Sequence, residues 1–246
     1  TSFHKPIFPA GTLNLGFSAT ASHYISEKPG TISDHIHMVG ATGDERDAYE
    51  EQGRLDWEGM LLNRANDLAQ NGRLALFNFG IDENGHYLGS TGGKNMFDTF
   101  NRLWRALVNE GIITNEEYIN TNFPQSYRTV EQFTAPFKDS ENPVYKAGLR
   151  VEHAETRVVE CPFAADFKTH KKSNLFAKEY IPTLRSWSEA TFLSGLSPQR
   201  SMNEKQEIGD IFYDNYQKLV EESPEGHGMD YVHCYLMIKK EEPSRE

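Results

Sequence analysis

Four short stretches of the chain are dense in apolar residues and bounded by turn formers, the pattern of strands. They are residues 12–17 (Thr12-Leu-Asn-Leu-Gly-Phe17), 73–79, part of 149–161, and 231–238. The second, Arg73-Leu-Ala-Leu-Phe-Asn-Phe79, is nearly continuously apolar, which predicts a strand covered on both faces. Between the first two, Leu55, Gly59, Leu62, Ala65 and Leu68 recur at roughly helical spacing. That predicts a helix over 56–70, stopped by Asn71-Gly72. Helix, glycine turn and apolar strand are the rhythm of a βαβ unit.

The later part of the chain is richer in helical patterns. Residues 96–110 place Phe97, Phe100, Leu103, Trp104, Leu107 and Val108 on one apolar side. A short helix is expected over 129–137, where Thr129-Val-Glu-Gln132 reads as a cap. Longer helices are expected over 173–193, interrupted by Pro182, and over 204–222. These helices exceed what a minimal sheet domain needs, so a helical cap at one end is expected. The order reads as the later half of an α/β domain plus that cap.

Composition narrows the function. The 246 residues carry a net charge of −11, which leaves no basic excess for phosphate backbones and argues against a nucleic-acid partner. Aromatic residues make up 12%, enough with the aliphatics to build a core. No window has the length and apolarity of a membrane span. Cys161 and Cys234 read as reduced thiols of a cytosolic protein, since disulfide scaffolds of this size use more cysteine.

Candidate chemistry is sparse. His35 and His37 beside Asp34 are too few for a zinc constellation without distant partners. Asp56 and Asp67 read as solvated or capping carboxylates, Trp57 as core, and His153 as an ordinary strand histidine. Cys161-Pro162 lacks a companion base, and there is no Gly-x-Ser-x-Gly elbow. Gly89-Ser-Thr-Gly-Gly93 follows a charged loop instead of a strand and reads as a connection, not a phosphate cradle. Residues 17–24 differ. Phe17-Ser-Ala-Thr-Ala-Ser-His-Tyr24 leaves a strand end with small and hydroxyl side chains and finishes on two hydrogen-bonding rings. It permits close approach of a ligand, or caps a helix start.

That stretch resembles the middle of the SABATH family, S-adenosylmethionine-dependent carboxyl methyltransferases of the salicylate, jasmonate and caffeine-synthase type. Where members carry Ser-Phe-Tyr, Phe-Pro and Leu-His-Phe, this chain reads Ser2-Phe3-His4, Phe8-Pro9 and Leu13-Asn14-Leu15. The family's His-Ser-Ser-Tyr-Ser run and its Trp-Leu-Ser-Gln-Val-Pro ending fall on Phe17-Ser18-Ala19-Thr20-Ala21 and Tyr24-Ile25-Ser26-Glu27-Lys28-Pro29. The helix before its Gly-Gly-Arg strand is similar to Asp56-Trp57, Met60-Leu61, Arg64 and Asp67-Leu68, followed by Asn71-Gly72-Arg73. Further along, Leu107-Val-Asn-Glu-Gly-Ile-Ile113, Asn122-Phe-Pro-Gln-Ser-Tyr127 and Phe212-Tyr-Asp-Asn-Tyr216 keep the family's order.

The resemblance implies an α/β fold, the C-terminal portion of a Rossmann-like class I methyltransferase sheet with a helical substrate cap. Core is expected over 1–95, the cap's two parts over 96–145 and 171–205, a core strand region over 146–170, and the last helix and strand over 206–246. It implies S-adenosylmethionine as cofactor, met by Ser2, Phe3 and Ser18, and a small-molecule carboxylic acid as substrate. His23 and Tyr24 would align that acid, and Phe97, Phe100 and Tyr127 would line its site. A nitrogen heterocycle as methyl acceptor and a noncatalytic interaction module are the alternatives, and a homodimer is expected. The family's glycine-rich cofactor loop, its ribose-binding acid and a carboxylate-gripping glutamine lie upstream of the matched region. Thr1 is therefore expected to be an interior position of the enzyme.

Overall fold

The computed structural model describes residues 2–241; Thr1, expected to be an interior position, lies outside them. Four strands form one sheet: β1 (Leu13–Ala19), β2 (Leu68–Phe79), β3 (Leu149–Val159) and β4 (Tyr231–Lys240), in the order β1-β2-β4-β3. β1 and β2 run parallel, joined through helix α1 (Gly43–Asp67), while β4 is antiparallel to both β2 and β3. The expected βαβ unit is therefore present, extended by an antiparallel pair.

Details of the α1–β2 junction depart from expectation. α1 begins at Gly43, well before residue 56; its first turn is charged, and Tyr49 and Gly53 are the buried positions before Trp57, too sparse a pattern to mark an apolar stripe in sequence. It ends at Asp67, and Asn71 does not stop it. Asn71 sits inside β2 at φ 63°, where the β1–β2 register shifts between Leu13 and Leu15. A side-chain amide tolerates that left-handed conformation, so the turn signal was real but made a bulge. β2 is also not buried on both faces: its burial alternates over residues 73–77. α1 covers one face, packing Trp57, Met60 and Leu61 with Leu74, Leu76, Leu236 and Ile238. Across the other face run Phe17, Phe77 and Tyr235, edge to face at 5.3 and 4.6 Å. β1 has no partner on its outer side among the described residues, and its Leu15 and Phe17 are 63% and 66% exposed.

A second core is helical. α2 (Met96–Asn109), α3 (Asn115–Asn120), α7 (Ser173–Gly195) and α8 (Met202–Glu222) enclose Phe97, Phe100, Trp104, Phe123, Phe192, Phe212 and Tyr216. A helical cap was expected, and this layer is one, although it takes in α8, which was expected apart from it. α7 runs through Pro182 without a break, since the residue is exposed and only one helical hydrogen bond is forgone. α4 (Val130–Thr134), starting from the expected Thr129 capping box, and α5 (Pro143–Lys146) lie beside β3. α6 (Pro162–His170) opens on Pro162 at its first position, a start signal that the Cys161-Pro162 pair carried.

Two ion pairs fasten these layers. Asp67, expected at the surface, is fully buried: Arg64 pairs with it at 2.8 Å, and it accepts the Ile7 N–H. Arg64 also donates to the carbonyls of Phe3 and Lys5, which ties residues 3–7 to α1. In the cap, Arg200 forks onto Glu117 at 2.5 and 2.9 Å, and the Thr114 and Ser197 N–H groups complete the carboxylate. These donors, Arg200 first, hold the Glu117 carboxyl at about 2. Its contribution is thus full above the ordinary 4.5 and is lost as pH falls toward that folded value. Glu117→Gln is expected to lower unfolding free energy at neutral pH by about 3 kcal/mol. Urea denaturation at pH 7 measures it, and the difference from wild type should shrink at acid pH.

Candidate active site

β1 ends by turning hard. Thr20, a β-branched residue, takes φ 52°, and its N–H reaches the Phe77 carbonyl at 2.6 Å. Such residues are rare in the left-handed region, and strain of this kind gathers at functional sites. The turn carries residues 21–24 across the C-terminal end of β2, the place where parallel α/β sheets bind ligands. The segment is then stitched to residues 124–126. His23 O accepts the Ser126 N–H at 2.8 Å, Pro124 O accepts the Ile25 N–H, and Tyr24 bridges to Gln125. Ser22 Oγ donates to Asn78 at 2.5 Å.

Beneath this seam lies Arg128. Its guanidinium donates to the carbonyls of Gly53 in α1, Ser22 and Ser126, with no carboxylate at ion-pair distance among the described residues. Burial lowers its pKa to about 10, with Asp56 acting against that, so it stays charged at neutral pH.

The turn closes one wall of a cavity of about 190 Å³. Thr20, His23 and Tyr24 line it with Phe79, Leu88, Gln125, Trp187, Met229 and Tyr231. No lining side chain carries a charge at neutral pH. The His23 ring is 3% exposed, packed against Tyr24 at 4.2 Å and Phe79 at 5.0 Å. Burial first and the Arg128 charge second pull its pKa down to about 3, so it is a neutral imidazole. Neither of its nitrogens bonds to protein among the described residues, and Nδ1 is fully buried. Tyr24 is 40% exposed, and partial burial raises its phenol, which therefore keeps its proton. The Trp187 indole N–H is also buried without an acceptor among the described residues.

The expected site residues separate into three places. His23 and Tyr24 are in the cavity wall. Phe97 and Phe100 are fully buried in the cap core and do not line the cavity; Phe97 stacks on His37 at 3.9 Å. Their helical spacing marked an apolar face, and packing claimed it. Tyr127 stands behind His23, ring centroids 5.9 Å apart, with its hydroxyl on Gln125, and it lines a different groove. Phe3 and Ser18 share a second cavity of about 250 Å³ along the open edge of β1, with Ile7, Phe8, Leu15 and Phe17. Ser2 is exposed, does not line that groove, and its Oγ accepts the His4 N–H. Gln125 and Trp187 were not anticipated as site residues. Gln125 sat inside the quoted Asn122–Tyr127 motif, whereas Trp187 gave no signal beyond a large residue on a helix.

Over residues 1–241 the sequence matches the family described as SAM-dependent carboxyl methyltransferases. The chain belongs to that family. It is 27% identical over 139 residues to loganic acid O-methyltransferase of Catharanthus roseus, covering 53% of this chain and 38% of that protein. It is also 27% identical to indole-3-acetate O-methyltransferase 1 of Arabidopsis thaliana, covering 60% of this chain and 42% of the relative. The structure of loganic acid methyltransferase with SAH superposes on all of this chain with a TM-score of 0.68 at 19% identity, and 66% of that chain is covered. The fold is thus the class I methyltransferase sheet with its helical cap. Within the family fold, the cavity sits at the strand ends and the apolar groove along the sheet edge. No helix among the described residues is long and apolar enough to cross a membrane.

Because Arg128 ties α1 to the segment bearing His23, Arg128→Met should leave three carbonyls short of a donor. Unfolding free energy is expected to fall by about 3 kcal/mol, read by urea denaturation. An unchanged midpoint would show that the seam closes without it.

Proposed function

We propose that this protein transfers a methyl group from S-adenosylmethionine to a carboxylate oxygen of a small organic acid, giving a methyl ester. The observation that carries this reading is the protonation state of the cavity. Its polar groups are neutral donors, and its one imidazole, at about 3, is too weak a base to deprotonate an acceptor at neutral pH. A ring N–H or a hydroxyl would have to lose a proton to react well. A carboxylate arrives ionised and needs none removed. The relatives named for loganic acid and indole-3-acetate fit the same substrate class.

The groove on β1 suits the cofactor's flat, apolar half. Phe3 and Ser18, which the family resemblance assigns to the cofactor, share that groove, Phe3 offering a ring for a base to lie against and Ser18 a hydroxyl. When bound there, S-adenosylmethionine supplies an electrophilic methyl on a sulfonium. The remaining work belongs to the chain. Tyr24 donates its phenol O–H to the substrate carboxylate, and His23 closes the wall behind it. Phe79, Leu88, Met229 and Tyr231 exclude water and hold the organic body. Fixing the attacking oxygen in line is the main source of rate in such a transfer. Keeping the oxygen dry preserves its nucleophilicity.

Full-length protein incubated with methyl-labelled S-adenosylmethionine and acetate, benzoate or phenylacetate tests this against nitrogen heterocycles. Label on the acids, released as methanol by mild base, is the expected result. Base-stable label on a heterocycle, or no transfer and no cofactor binding, would overturn it. Because no protein base titrates, kcat/KM should be flat from about pH 6 to 9. Tyr24→Phe should raise KM for the acid about tenfold through the lost charge-assisted hydrogen bond.

A further inference from the structure

Gln125 is 2% exposed and lines the substrate cavity beside His23 and Tyr24. Shape does not distinguish the two ends of its amide, but its neighbours do. His37 Nδ1 accepts the Val39 N–H at 3.2 Å, capping the 3₁₀ turn Met38–Gly40. Complete burial holds His37 well below the usual imidazole range, so the ring is neutral and has one proton. With Nδ1 accepting, that proton is on Nε2. Nε2 lies 3.2 Å from Gln125 Oε1, so the atom it meets is the carbonyl oxygen. The Tyr127 hydroxyl, kept protonated by burial, donates to the same oxygen at 3.3 Å.

Neither His37 nor Tyr127 lines the cavity. The oxygen of Gln125 is therefore consumed on the far side, and the NH₂ is left to the cavity, with no acceptor for it among the described residues. His37 is itself immobilised by its backbone bond and by the stack on Phe97. An amide free to rotate could present either end to a carboxylate. This one has a single orientation, chosen by two donors behind it.

We propose that the Gln125 NH₂ is a carboxylate-binding donor alongside Tyr24, and that His37 and Tyr127 are positioning residues that turn it to the substrate. This rests on the carboxylate reading above. It also assigns a role to Tyr127 and, through His37, to Phe97 that direct contact with substrate does not provide.

The test uses full-length protein and whichever of acetate, benzoate and phenylacetate gives the most ester. Gln125→Met keeps the length of the side chain and removes the donor. Its KM for the acid is expected to rise about tenfold, with kcat within about twofold and S-adenosylhomocysteine affinity unchanged by calorimetry. Gln125→Glu places an acceptor where the donor was and should abolish acid turnover at neutral pH. His37→Phe keeps a ring over Phe97 but frees the amide, and should raise KM with kcat held, a split that general destabilisation does not produce. In the wild type, the side-chain NH₂ signals of ¹⁵N-labelled Gln125 should shift on adding the acid. Signals unmoved by saturating acid, or a wild-type KM in folded Gln125→Met, would overturn the proposal while leaving ester formation intact. Failure of the wild type to esterify any acid would remove the carboxylate reading and this proposal together.

Discussion

A guanidinium buried without a carboxylate is a costly thing to place inside a protein, and Arg128 is so placed. It is tolerable because the three carbonyls that receive it come from three separate parts of the chain. Gly53 belongs to the helix that covers the sheet, Ser22 to the turn after β1, and Ser126 to the loop that follows α3. Without a bare helix position at Gly53 the fork could not approach, since a side chain there would collide with Ser126. The core, the turn and the cap loop are thus registered on one side chain, and the cavity forms where they meet.

The same charge conditions the chemistry. It adds to burial in keeping His23 neutral, so a residue that looks like a catalytic base is turned into a passive wall. The phenol of Tyr24 and the amide of Gln125 then line the cavity without any formal charge. Such donors can bind an ionised carboxylate without neutralising the oxygen that must attack, as an ammonium or guanidinium in contact would tend to do.

Much of this was legible from residues alone. All four strands and the principal helices are legible in the apolar pattern, most plainly where β2, β4, α2 and α8 bury a face. The errors have local causes. α1 starts early on charged residues that pack little, and Asn71-Gly72 makes a bulge where a helix end was expected. Asp67 looks solvated until Arg64 and the Ile7 N–H are found around it. His23 and Tyr24, expected at the site from the family resemblance, follow a strand end and line the cavity. Phe97 and Phe100 could not be assigned correctly, since an apolar helical stripe is the same whether it faces a core or a ligand. Gln125 depends on His37, 88 positions away in sequence, and no local pattern encodes that pairing.

The central claim is that an ionised acid is received by donors that never change protonation. Calorimetric titration of the acid into full-length protein with S-adenosylhomocysteine, repeated at one pH in buffers of different ionisation enthalpy, counts protons directly. At pH 7 the account predicts the same binding enthalpy in every buffer once no proton is exchanged. An enthalpy that varies with the buffer in proportion to about one proton taken up or released would contradict it.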